Sequence, residues 1–341
     1  MAPMRDVLDE LDRLRARGDR VALATVVATR RSAPRPVGSK LVVSESGALH
    51  GSVSGGCVES EVYAACQDVL GGAPPRLLTY GISDEQAFEV GLPCGGEIDV
   101  FVNEPEPGFL DSVAAVVRGE ERAVALTDLD SGTQRLSREG DDGVADGLIR
   151  EGASRVVELE GATVFAEIFG PPPQLLVFGA VDTAEALCRL AKAIGWRTTV
   201  SDARARFATP ERVPSADEIV VAWPEEALER VRPDHATAVV VLTHDEKFDV
   251  PALVGALASD SFYVGALGSR RTQAKRRERL VEAGVSEEQL ERLHGPAGLD
   301  IGAHTPAETA VSMLAEILAV RTGRDGGPLR ESTRQRIHAE V

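Results

Sequence analysis

Apolar residues open the chain at Val7, Leu8, Leu11 and Leu14, the three-and-four spacing of an amphipathic helix. The pattern then changes. Val21–Thr29 is rich in Val and Thr and predicts a strand. A loop follows over residues 30–40, and Leu41–Ser44 with Ala48–Val53 predict a hairpin around Glu45-Ser46-Gly47. Helical spacing returns from Cys57 to Leu70, where Val58, Val62, Ala65, Cys66 and Val69 share one face. Strands at Arg76–Tyr80 and Glu97–Val102 flank a short helix from Ser83. The run Glu104-Pro105-Glu106-Pro107-Gly108 marks a boundary. Beyond it lie a helix at Leu110–Arg118, a strand at Arg122–Thr127 and a last strand at Ala162–Ile168, which is expected to rejoin the first sheet.

After Pro171-Pro172-Pro173 the chain alternates short apolar strands with helices, the signature of a buried parallel sheet. The strands are Gln174–Phe178, Arg197–Ser201, Glu218–Ala222, Ala238–Leu242 and Tyr263–Ala266. The fold class is therefore α/β: an N-terminal α/β domain with a mixed sheet, then a C-terminal Rossmann-like parallel α/β domain. The predicted organisation is residues 1–105, a middle segment 106–170 that completes the first domain, the Rossmann-like domain at 171–325, and a tail at 326–341.

Charge narrows the function classes. With 54 acidic against 37 basic residues and a net charge of −17, the chain is a poor partner for nucleic acid or an anionic membrane. Four cysteines without a C-x-x-C pair fit a reducing cytoplasm rather than a disulfide framework. No zinc-type spacing, signal peptide or membrane-length apolar run is present.

Two cysteines stand apart because each abuts two glycines: Gly55-Gly56-Cys57 and Cys94-Gly95-Gly96. A turn nearly free of side chains lets backbone N–H groups approach a ligand. At a helix N-terminus the dipole favours an anion and a thiolate. Ser54, Gly55, Gly56 and Cys57 on one side, and Cys94, Gly95 and Gly96 on the other, are thus candidates for holding a ligand with a phosphate and a soft or electrophilic atom. Cys66 and Cys188 fall mid-helix and read as core.

The second domain begins like a dinucleotide-binding unit. Gly179 follows the first strand, and Asp202 ends the second, placed for a ribose hydroxyl. The glycine that admits a pyrophosphate is replaced by Val181, and Asp182 adds negative charge there, which argues against NAD(P). Gly268, Ser269, Arg270 and Arg271 form a second candidate anion turn. The basic residues 275–279 read as a solvated face balanced by Glu. His244 with Asp245 ends the fourth strand, on the edge where such sheets bind ligands. Thr305, Pro306 and Glu308 form a capping box, which leaves Asp300 and His304 unexplained by helix capping.

Taken together, four passages resemble the xanthine dehydrogenase accessory factor (XdhC/CoxI) family. They are Ser32-Ala33-Pro34-Arg35-Pro36 through Gly38-Ser39-Lys40; Gly51-Ser52-Val53-Ser54-Gly55-Gly56-Cys57-Val58-Glu59; Leu92-Pro93-Cys94-Gly95-Gly96; and Tyr263–Arg271 with Gly298–Ala303. The resemblance implies a cytoplasmic factor that binds molybdenum cofactor, as molybdopterin or its dinucleotide, during sulfuration by a cysteine desulfurase. It then delivers the cofactor to a molybdenum hydroxylase apoenzyme. A homodimer is a further implication. Cys57 and Cys94 would contact molybdenum or take part in sulfur transfer, and Arg35, Lys40, Arg270 and Arg271 would balance the cofactor's charge. Family members commonly carry a Gly-Ala-Gly-His type turn where this chain has Gly179-Ala180-Val181-Asp182. An NAD(P)-dependent oxidoreductase and a non-catalytic scaffold between desulfurase and hydroxylase remain as alternatives.

Overall fold

A computed structural model describes residues 3–30, 33–81 and 96–331. They form two compact units, one reaching to Pro171 and including the stretch from Leu329, the other spanning Pro172–Pro328. The expected helix from Ser83, Cys94 and Gly95 lie outside the described residues.

The first unit begins with α1 (Pro3–Ala16), β1 (Val21–Arg30), β2 (Lys40–Ser44), β3 (Leu49–Gly51), α2 (Glu59–Leu70), β4 (Arg76–Tyr80) and β5 (Glu97–Asn103). The strands order as β3-β2-β1-β5-β4. Side-chain alternation along β1 separates two cores. Ala22, Ala24 and Val26 pack with Val62, Ala65, Cys66 and Val69 of α2. Val21 and Leu23 pack with Val7, Leu8 and Leu11 of α1. The expected mixed sheet pairs antiparallel at every described junction. The short hairpin between β2 and β3 imposes antiparallel pairing there, and β1 and β5, joined by a long connection, also run in opposite directions.

Next come α3 (Pro107–Gly119), β6 (Ala123–Asp128), β7 (Gln134–Arg138), α4 (Gly143–Glu151), β8 (Arg155–Leu159) and β9 (Ala162–Phe169). Here the expectation for Ala162–Ile168 is corrected. This strand does not rejoin the first sheet but sits inside a second antiparallel sheet, ordered β7-β6-β9-β8. A tight turn at Glu160-Gly161, both at positive φ, folds β9 back on β8. Its other edge pairs with β6.

Lys40 ties the two sheets together. Its buried ammonium donates to Glu167 Oε2 of β9 at 2.9 Å and to Thr25 Oγ1 of β1 at 3.1 Å. The charge is therefore balanced inside the unit.

The second unit holds β10 (Gln174–Phe178), α5 (Asp182–Ala193), β11 (Arg197–Ser201), β12 (Glu218–Val220), α6 (Pro224–Val231), β13 (Thr237–Val241) and α7 (Glu246–Ala258). It continues with β14 (Tyr263–Ala266), α8 (Arg270–Glu282), α9 (Glu287–Glu291), β15 (Leu293–His294) and α10 (Pro306–Arg321). All strands run parallel in the order β12-β11-β10-β13-β14-β15, the doubly wound arrangement with its switch point between β10 and β13. Leu187 and Ala191 of α5 meet Met313 and Ile317 of α10 on one face. Leu253, Ala256 and Leu280, from α7 and α8, cover the other.

One residue of the expected solvated face is misplaced by that reading. Arg276 is buried: its guanidinium donates to Asp249 Oδ2 at 2.7 Å and to the Leu267 carbonyl at 3.1 Å. Its neighbours Arg277 and Arg279 do lie outward, paired with Glu287 and Glu246.

Removing one partner of a buried pair strands the other charge. Lys40→Ala is expected to cost about 3–5 kcal/mol of stability in denaturant unfolding, and Lys40→Met with Glu167→Leu to recover most of it. A loss below about 1 kcal/mol in the single variant, the range of exposed pairs, would contradict this role.

Candidate functional site

The turn that carries Cys57 is built around a carboxylate. Glu59, the first residue of α2, folds back under residues 52–56. Its Oε1 accepts the N–H groups of Val53 at 3.2 Å, Ser54 at 2.9 Å and Gly55 at 3.0 Å, and the Ser52 hydroxyl at 2.7 Å. Its Oε2 accepts the Gly56 N–H at 2.8 Å and the Ser54 hydroxyl at 2.5 Å. Ser54 Oγ then accepts the N–H groups of Cys57 at 2.9 Å and Val58 at 3.0 Å. Every N–H from Val53 to Val58 is thus satisfied within the turn.

Burial alone would raise the Glu59 carboxyl, but the Ser54 and Ser52 hydroxyls and the backbone donors outweigh it and hold it at about 2. Gly55 and Gly56 adopt φ of +79° and +115° with open space where a Cβ would project. Glycine is needed there for backbone conformation rather than for room.

This changes the expected phosphate cradle. The N–H donors of Ser54, Gly55 and Gly56 point inward to Glu59, and none of the six is open to an external anion. Cys57 lies just before the Val58 N-cap and is exposed. Cys66 and Cys188 are buried, and burial pushes each thiol up to about 12. Among the described residues no three His, Cys, Asp or Glu side chains converge, so a metal reaching Cys57 would bring ligands of its own. Gly96 is buried beside β5 and Arg35 is exposed on its loop.

The second unit has an open cleft of about 870 Å³ on the carboxyl edge of its sheet, lined by Val181, Asp182, Arg204, His244, Lys247 and Phe248. Gly179, at φ +108°, has no room for a side chain, since a Cβ would come within 2.9 Å of Thr243 Cγ2. Its role in the structure is close packing of the β10 turn against the end of β13.

Asp202 is buried and already partnered. It accepts the Ala180 N–H at 3.1 Å and a fork from Arg204 at 2.9 and 2.7 Å. Burial would raise this carboxyl, but Arg204 and the backbone donors hold it below its ordinary value. The ribose acceptor expected at Asp202 is therefore committed to Arg204, whose guanidinium stacks 4.1 Å from the Phe207 ring.

His244 is exposed in the cleft, while Gly268, Ser269, Arg270, Arg271 and Asp300 are not among its lining residues. Ser269 caps α8 by accepting the Thr272 N–H at 3.2 Å, and Arg270 and Arg271 project from its first turn, exposed. Asp300 is exposed on a loop tied to α10 through the Gly298 N–H and Glu316 at 2.8 Å. His304 is exposed beside the Thr305–Glu308 capping box, which forms as the sequence predicts.

Sequence reasoning missed Glu59, Arg204 and the Asp249–Arg276 pair. Glu59 carried a usable signal: an acid at the first helical position after a donor-rich Ser-Gly turn.

Comparison with known proteins adds the family. An XdhC Rossmann domain model matches residues 175–317, and an XdhC and CoxI family model matches residues 14–81. The molybdenum cofactor insertion chaperone PaoD of Escherichia coli is 30% identical over 304 residues, spanning 89% of this chain and 84% of that protein. The chain belongs to the XdhC and CoxI family. Another relative, from Bacillus subtilis, is described as a probable subunit of xanthine dehydrogenase. It is 27% identical over 324 residues, covering 91% of this chain and 96% of the relative. A crystal structure from Bacillus halodurans, described as a xanthine dehydrogenase, superposes with a TM-score of 0.67 at 25% identity over 98% of both chains.

The Glu59 clamp has a pH signature. Its folded carboxyl lies at about 2 against an ordinary 4.5, so its stabilisation is complete above the ordinary value and is lost as pH falls toward 2. The difference in urea midpoint between wild type and Glu59→Gln should hold steady from neutral pH to about pH 5 and close below it. A difference that widens on acidification would contradict the clamp.

Proposed function

We propose that this chain is a maturation factor for a molybdenum hydroxylase, receiving molybdenum cofactor as cargo and passing it to an apoenzyme. The observation that carries the reading is the exposed Cys57 thiol on a turn locked by Glu59, in a chain related to a molybdenum cofactor insertion chaperone. A thiol is a soft donor suited to molybdenum or its sulfur ligands. The locked turn holds it at the exposed end of α2.

Cys94 belongs to the same reading as a second thiol for sulfur transfer. Sulfuration by a cysteine desulfurase, a homodimeric state and a cytoplasmic setting are finer parts of the proposal. No described helix is long and apolar enough to cross a membrane. The exposed arginines at 35, 270 and 271 are the proposal's cationic contacts for the anionic cofactor. Lys40 is less suited, because its charge is spent on Glu167.

A nucleotide in the second unit's cleft is the alternative with an observation behind it, namely the doubly wound strand order and a cleft at its switch point. Val181, Asp182 and the Asp202–Arg204 pair disfavour NAD(P) within that reading.

Deleting the gene is expected to abolish activity of the served hydroxylase while its polypeptide still accumulates. Complementation with wild type should restore activity, and Cys57→Ala should leave it at about a tenth or less. Full hydroxylase activity in the deletion strain would remove the maturation role. Full rescue by Cys57→Ala would move it away from this thiol and towards the scaffold reading.

A further inference from the structure

The Cys57 turn has the composition of a phosphate-binding loop and an anion already inside it. Four consecutive backbone donors, from Val53 to Gly56, converge on one carboxylate, the Gly55 N–H being shared with Ser52 Oγ at 2.8 Å. Two further N–H groups, of Cys57 and Val58, are held by Ser54 Oγ, which itself donates to that carboxylate. An external phosphate would need these same donors. It would also face the Glu59 charge, which stays ionised down to about pH 2.

We propose that Glu59 is the specificity-determining residue of this turn: it fills the anion cradle from within, so that a ligand meets the turn through the Cys57 thiol and never through a phosphate. The inference rests on the reading that Cys57 meets the cofactor. It fixes the cofactor's orientation there. The sulfur-ligated metal end faces Cys57, and the phosphate or nucleotide end is bound by other groups. Glu59 is a positioning residue in this role, because it acts on the ligand only through the turn.

The test uses the full chain, and its phosphate arm needs no cofactor. Alkylation of Cys57 by neutral iodoacetamide is followed by peptide mass spectrometry, with and without inorganic phosphate at constant ionic strength. In wild type, phosphate should leave the rate unchanged. In Glu59→Ala the emptied donors should take phosphate, and roughly 10 mM should slow alkylation about threefold or more, as a millimolar anion site would. Glu59→Gln, which keeps the shape and loses the charge, should gain a smaller protection and covers the case in which the alanine variant does not fold. Glu61→Gln, which removes the same charge from the outside of the same helix, should gain none.

Equal protection in wild type and the Glu59 variants would overturn the inference, as would protection gained by none of them. The two readings fail separately. If Cys57→Ala binds cofactor as wild type does while Glu59→Ala gains phosphate, the cofactor reading falls and the cradle stands. If Cys57→Ala loses cofactor and no Glu59 variant responds to phosphate, the reverse holds.

Discussion

A surface turn made of Ser54, Gly55 and Gly56 carries more backbone donors than it can pair by itself, and Glu59 resolves that constraint with a single carboxylate. Four N–H groups and two hydroxyls converge on its two oxygens. The positive φ of both glycines, the exposed Cys57 and the start of α2 all lie in the turn so organised. Without an acceptor at this place the glycines would be free to sample many conformations, and the thiol would have no fixed direction. Charge matters as much as geometry. A carboxylate surrounded by donors is stable where an isolated one is not, and once in place it repels other anions.

The second unit obeys a similar logic with different parts. Its sheet brings the ends of β10 and β13 together at the switch point, and Gly179 is the residue that permits it, since Thr243 leaves no space for a Cβ. Asp202 pins the turn after β10 through the Ala180 N–H, and Arg204 neutralises it. On the neighbouring edge Asp249 accepts from Thr243 and Arg276, and Arg276 holds the Leu267 carbonyl. Both pairs, Asp202–Arg204 and Asp249–Arg276, thus carry charges that are satisfied within the unit. In this fold the glycine and the acid serve packing and polar satisfaction of the turn after β10.

Much of the fold was legible because hydrophobic periodicity survives averaging over many residues. Five of the six strands of the second unit and the helices α2 and α10 follow directly from it, while the two-residue β15 is too short to leave a pattern. Pairing partners did not, as Ala162–Ile168 shows: a strand's apolar face does not say which edge it meets. Arg276 was misread because helix spacing places it among Arg277 and Arg279, and only the tertiary fold reveals Asp249 beneath it. In the candidate site, Cys57 and the glycines could be read from composition. The direction in which the N–H groups point could not, because it depends on where Glu59 places its carboxylate. The same limit explains Asp202, whose spacing from Gly179 suited a ribose while its contacts serve Arg204.

The central claim is that the Cys57 thiol is the point of contact with molybdenum cofactor. Anaerobic equilibrium titration of the full chain with isolated cofactor, wild type beside Cys57→Ala, tests it most directly. The account predicts saturable binding by wild type, weakened about tenfold or more in the variant, a loss of about 1.4 kcal/mol or greater. Binding of equal affinity by both proteins would contradict it.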